Sequence, residues 1–111
     1  MDLNKRREPR YAFIASAEIL EERTESRMST QISDLSRGGC YVDTINPLPD
    51  GSAVHIRIYT ETHSFEADAA VVYSHPHLGM GMKFREIRPQ SAEVLRLWLP
   101  EAAEEMRAAL G

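Results

Sequence analysis

From Tyr11 onward apolar and polar residues alternate in short bursts. The stretch YAFIASAEIL puts Phe13, Ala15, Ala17 and Ile19 on one side, which is the period of a half-buried strand. The polar run EERTESR then predicts a turn, and MSTQISDLS a second, weaker strand that runs into a corner at Ser36-Arg37-Gly38-Gly39. CYVDT continues as a third strand, and INPLPDG, with two prolines and an Asp-Gly pair, predicts a loop. SAVHIRIYT alternates through Val54, Ile56 and Ile58, and SFEADAAVVY through Phe65, Ala67, Ala69, Val71 and Tyr73, with TETH between them as a hairpin turn. After the loop SHPHLG, the run GMGMKF predicts a further strand with Met80, Met82 and Phe84 on one face.

The period changes after Pro89. Val94, Leu95 and Trp98 fall at helical spacing, Pro100 interrupts, and Ala102, Met106, Ala109 and Leu110 resume it. Six consecutive strands with no helix between them imply an all-β body with an antiparallel sheet. Closing that sheet into a six-stranded antiparallel β-barrel would remove its exposed edges. A chain of 111 residues has the length of one domain with a single core. The expected division is a basic N-terminal arm over 1–11, the barrel over 12–86 and a C-terminal helical segment over 89–110.

Composition changes this picture in few places. At 42% hydrophobic and 27% charged residues the chain reads as globular and soluble, without repeats or low-complexity tracts. MDLNKRREPR is charged throughout and leads into no apolar run long enough for a signal peptide or a membrane span, so a cytoplasmic location without membrane insertion is expected. The lone Cys40 allows no internal disulfide, suits a reducing compartment, and reads as a small apolar residue in a strand. A net charge of −4 argues against DNA or RNA binding through a broad basic face. The basic charge is focused: Lys5, Arg6, Arg7 and Arg10 stand against Asp2 and Glu8 in the first ten residues, and the remainder is acidic.

Two segments carry candidate chemistry. In KRREPR, Arg6 and Arg10 are spaced R-x-x-x-R on an arm that Pro9 keeps from continuing as a helix. A guanidinium presents forked donors that match phosphate oxygens, or the O6 and N7 acceptors of guanine. In SDLSRGG, an ionised Asp34 can accept two donors from the Watson–Crick edge of guanine, and Ser36 can donate or accept. Gly38 and Gly39 permit a close approach that a β-carbon would block.

Arg6-x-x-x-Arg10 followed by Asp34-x-Ser36-x-x-Gly39 resembles the paired signature of PilZ domains, bacterial receptors for cyclic di-GMP, and GMGMKF, with Gly79, Gly81 and Phe84, is similar to a glycine-containing strand near the end of that barrel. The resemblance implies a PilZ-like, split-barrel type fold and a ligand, cyclic di-GMP, but no further cofactor. By that resemblance Arg6 and Arg10 clamp phosphate and guanine, Asp34 and Ser36 bind the base and its surroundings, and Gly39 shapes the corner. Arg7, Arg37 and Gly38 are further candidates, and Tyr73 and His75 are candidates for stacking on a guanine. It also implies a bacterial source and a receptor or adaptor that passes the signal to a protein partner by ordering of its arm. Lys5, just before the first arginine, leaves open whether one ligand or a stacked pair binds, and the chain is compatible with a monomer or a ligand-dependent dimer.

Three other readings compete. His75-Pro76-His77 could supply a metal pair, but no third ligand is identifiable and no metal is expected. Asp34, Ser36 and a histidine could in principle form a triad, with Asp34 and Ser36 on one face of a strand. No nucleophile motif such as G-x-S-x-G is present, so no catalytic residue is assigned and the chain is not expected to be an enzyme. The alternative function is a PilZ-like protein–protein interaction module that acts without nucleotide, for which the basic arm, the acidic body and the Ala- and Leu-faced final helix would serve as docking features.

Overall fold

The structure is a computed structural model and describes residues 9–100. Within them, alternation of buried and outward residues builds six strands: β1 (Tyr11–Glu21), β2 (Arg27–Leu35), β3 (Gly39–Asp43), β4 (Ala53–Tyr59), β5 (Ser64–His75) and β6 (Gly79–Ile87), followed by helix α1 (Pro89–Trp98). All neighbours are antiparallel in the order β1-β2-β3-β6-β5-β4, and β1 pairs with β4 to close the barrel. The antiparallel barrel with a C-terminal helix is therefore the observed architecture. Tyr11 is the first residue of β1, where the alternating pattern also begins. The second helical stretch expected beyond Pro100 lies outside the described residues.

The inward positions read from the sequence form one core. Ala15, Ala17, Ile19, Val54, Ile56, Ile58, Phe65, Ala67, Ala69, Val71, Met80, Met82 and Phe84 are buried, and Ile32, Leu35, Cys40 and Val42 join them from β2 and β3. Each large side chain removed from water here contributes about 1.5–3 kcal/mol before the entropy of ordering is counted. Leu95 and Leu99 of the C-terminal segment complete this core, and Trp98 packs on Phe13 and Phe65 with ring centroids 5.0 and 6.4 Å apart. Pro89 at the first turn suits a helix start, because its missing N–H would have no partner there. The chain is extended at Leu99, just before Pro100.

Register shifts break the alternation at positions that shape one outer face. On β2, Ile32 pairs with Val42 but Asp34 pairs with Tyr41, so Ser33 is an extra residue. On β5, Val71 pairs with Met82 but Tyr73 pairs with Gly81, so Val72 is extra, and it is 49% exposed. This overturns the sequence reading that put Tyr73 on the core side with Phe65 to Val71: the bulge at Val72 turns it outward.

Candidate ligand-binding face

The two bulges align a row of outward positions across four strands. Asp34 on β2 pairs with Tyr41 on β3, Tyr41 with Gly81 on β6, and Gly81 with Tyr73 on β5. Arg10, immediately before β1, reaches this row from its edge. Its Nη2 donates to Asp34 Oδ2 at 3.1 Å and to the Tyr73 hydroxyl at 3.1 Å. Sequence separations of 24 and 63 residues thus close on a single guanidinium. The hydrogen bond to Tyr73, and then the hydrogen bond to Asp34 and its negative charge, raise the Arg10 pKa above its ordinary value against the opposing effect of burial.

Asp34 is only half used by this contact. Its Oδ1 is buried and has no hydrogen-bond partner among the described residues. A buried carboxylate oxygen without a donor costs about 1–3 kcal/mol. The Arg10–Asp34 pair itself is lightly held. With the two side chains 49% and 27% exposed, solvent screening limits it to about 0–1 kcal/mol.

The corner between β2 and β3 is built by Ser36 and the glycines. Ser36 lies past the end of β2 and is 6% exposed, which corrects the expectation that Asp34 and Ser36 share one strand face. Its Oγ accepts from the Gly38 and Gly39 amides at 3.2 and 3.1 Å and donates to the Gly39 carbonyl at 3.3 Å. The Ser36 amide donates to the same carbonyl at 2.8 Å, and the Gly38 carbonyl accepts from Phe84 N at 2.8 Å, tying the corner to β6. No side chain fits at position 39, because a β-carbon there would stand 2.0 Å from the carbonyl oxygen of Met82. Gly39 and Ser36 thus act through the backbone. Arg37 is exposed at the tip of the corner.

A depression of about 200 Å³ lies between these parts, lined by Arg10, Ser36, Gly38, Gly39 and Tyr73 among others, with Cys40 and Met82 at its floor. It is smaller than the roughly 300–1,000 Å³ of enclosed small-molecule pockets, so it suits one flat part of a ligand whose remainder lies on the surface. Burial pushes the Cys40 thiol well above its ordinary range, leaving it a neutral, apolar floor. A larger depression of about 530 Å³ at Ile14, Gln31 and Tyr59 has no basic residue in its lining and does not suit an anion.

Beside the depression three rings cluster on the outer face. The Tyr73 and His75 centroids are 5.0 Å apart, Tyr41 and His75 6.0 Å, and Tyr41 and Tyr73 6.2 Å. Tyr41 Oη shares a hydrogen bond with His75 Nδ1 at 3.1 Å. Tyr41 escaped the sequence reading, although strict alternation with Cys40 and Val42 would have turned it outward. His75 is thus placed among the rings, and no group of three or more metal-ligating side chains occurs among the described residues. Arg6 and Arg7 lie outside the described residues, as does Lys5.

The family model for the PilZ domain matches residues 4–99. The chain belongs to the PilZ family. Solved structures agree in fold. The PilZ domain of YcgR from Escherichia coli, a structure described as "with c-di-GMP", is 17% identical with a TM-score of 0.70, covering 96% of this chain and 97% of that one. The inhibitor of motility MotI/DgrA of Bacillus subtilis is 18% identical with a TM-score of 0.67; 93% of this PilZ chain is covered, but it spans only 52% of that protein. The PilZ domain of CeSA from a cellulose-synthesizing bacterium is 17% identical with a TM-score of 0.59, covering 78% and 89%. No match to the chain was found among curated proteins. No helix among the described residues of this PilZ domain is long and apolar enough to cross a membrane.

Proposed function

We propose that this PilZ domain is a cyclic di-GMP receptor, a regulatory binding module and not a catalyst. The observation that carries the reading is the half-used carboxylate of Asp34: Oδ2 is engaged by Arg10, which itself lines a depression floored by small and apolar residues, and Oδ1 has no partner among the described residues. A guanine offers two adjacent N–H donors on its Watson–Crick edge and acceptors at O6 and N7, matching a carboxylate and a guanidinium held side by side. Membership of the PilZ family and the cyclic di-GMP named with the YcgR structure support the same ligand.

In this reading Arg10 and Asp34 face the ligand, Ser36, Gly38 and Gly39 hold the corner that shapes the depression, and Arg6, with Arg7 and Arg37, adds phosphate contacts. Arg6 precedes Arg10 by four residues, a reach of up to about 14 Å, enough to meet the exposed part of the same ligand. The Arg10–Asp34 contact uses Nη2, so the guanidinium keeps Nε–H and Nη1 to donate to the ligand in charge-assisted contacts of about 1.5–3 kcal/mol each. Ordering of the N-terminal segment over the bound ligand then changes the surface shown to a protein partner, which makes the domain an adaptor.

Calorimetric titration with cyclic di-GMP, using cyclic di-AMP and GTP for comparison, tests the reading. Saturable binding that strongly favours cyclic di-GMP is expected. Arg10→Ala should weaken it by about one to two decades, and Asp34→Ala should narrow the preference for guanine over adenine. Equal affinity for the three ligands, or an Arg10→Ala variant that binds like the parent, would contradict it.

A further inference from the structure

Tyr73 owes its place to two features that alternation alone does not produce. The extra residue Val72 turns it outward, and Gly81, its partner on β6, leaves room for the ring. A β-carbon at position 81 would stand 2.3 Å from Cζ of Tyr73 and 2.7 Å from its hydroxyl oxygen, so this ring position exists only because residue 81 has no side chain. His75 flanks the ring at 5.0 Å and Tyr41 at 6.2 Å. The hydroxyl is thereby held 3.1 Å from Nη2 of Arg10, the same nitrogen that donates to Asp34 Oδ2.

We infer that Tyr73 is a positioning residue: its hydroxyl, seated over Gly81, and the carboxylate of Asp34 fix the guanidinium plane of Arg10 so that its Nε–H and Nη1 donors are left for an anionic ligand. The inference rests on the receptor reading above and deepens it. A guanidinium held by one acceptor still pivots about that bond, whereas two acceptors on one nitrogen, from strands on opposite sides of β3 and β6, set its plane. Arginine has several freely rotating bonds, and ordering them in advance removes an entropy cost that ligand binding would otherwise bear. The same hydroxyl is the largest of the influences that raise the Arg10 pKa above its ordinary value.

The test is a double-mutant cycle. Tyr73→Phe keeps the ring and deletes the hydroxyl; calorimetric Kd values for cyclic di-GMP are compared for the parent, Tyr73→Phe, Arg10→Ala and the double variant. Tyr73→Phe should weaken binding about tenfold when Arg10 is present and leave it unchanged when Arg10 is Ala, with an unaltered melting temperature. Gly81→Ala, which displaces the ring, should reproduce the loss of affinity. Independently of ligand, the Arg10 side-chain ¹⁵N signals should show restricted rotation in the parent and lose it in Tyr73→Phe. An equal loss in both backgrounds, or no loss in either, overturns the positioning role and leaves the receptor reading standing. A parent that binds no cyclic di-GMP, but whose Arg10 signals still depend on Tyr73, overturns the receptor reading while supporting the positioning role. A parent that neither binds nor shows that dependence overturns both.

Discussion

At position 39 the obstacle to a side chain is a peptide carbonyl. The Met82 oxygen is held in the ladder where Cys40 pairs with Met82, so it cannot swing away as a flexible side chain would. Gly39→Ala should therefore force β3 from β6 and destabilise the barrel by about 3 kcal/mol or more, at the upper end of overpacking effects. A thermal melt checks this, and a variant that melts within a degree or two of the parent would show that the corner relaxes easily. The residues of SDLSRGG thus divide by task. Gly39 and Ser36 use their chemistry on the backbone of the corner, while Asp34 holds Arg10 through one carboxylate oxygen and keeps the other without a partner among the described residues. The motif announces that a site is present; which of its members face outward follows only from the register of β2 against β3.

Between elements, one buried serine joins helix to barrel. Ser91 is 3% exposed and its Oγ accepts from the backbone N–H of Glu66 on β5 at 2.9 Å, while Arg88 N donates to the Glu66 carbonyl at 3.1 Å. Ser91→Ala would leave a strand N–H without its partner beneath the helix, costing about 1–3 kcal/mol. For a domain of this size that corresponds to a melting temperature lower by roughly 5–15 °C. An unchanged melting temperature would mean that water replaces the hydroxyl. Strands and helix were legible because interior residues recur at periods of two and then about three and a half. The bulges were not, since Ser33 and Val72 differ in no residue type from ordinary strand positions, and it is the bulge at Val72 that carries Tyr73 to the outer face. The cross-strand group of His55, Glu66, Asp68 and Arg88, with His55 Nε2 3.0 Å from Glu66 Oε1 and Arg88 Nη2 3.5 Å from Asp68 Oδ1, was equally hidden: it needs the pairing of β4 with β5.

At the scale of the barrel, closure of β1 on β4 leaves no free strand edge among the described residues, so recognition by these strands uses an outer face or a rim. Arg10, Asp34, the corner and the Tyr41-Tyr73-His75 rings lie along one side, over β2, β3, β6 and β5, while the ion pair of Arg57 with Glu18 lies across β4 and β1, with Arg57 4.4 Å over the Tyr59 ring. The charge is similarly divided, with a basic N-terminal segment leading into an acidic remainder. On the proposed function, cyclic di-GMP binds at the Asp34 side of this barrel. Titration of the ¹⁵N-labelled protein with cyclic di-GMP, followed through its backbone amide signals, tests it most directly. Shifts concentrated at Arg10, Asp34, Ser36 to Cys40 and Tyr73 are expected, with Glu18, Arg57 and Tyr59 unmoved. Shifts centred instead on β1 and β4, or none at saturating ligand, would contradict it.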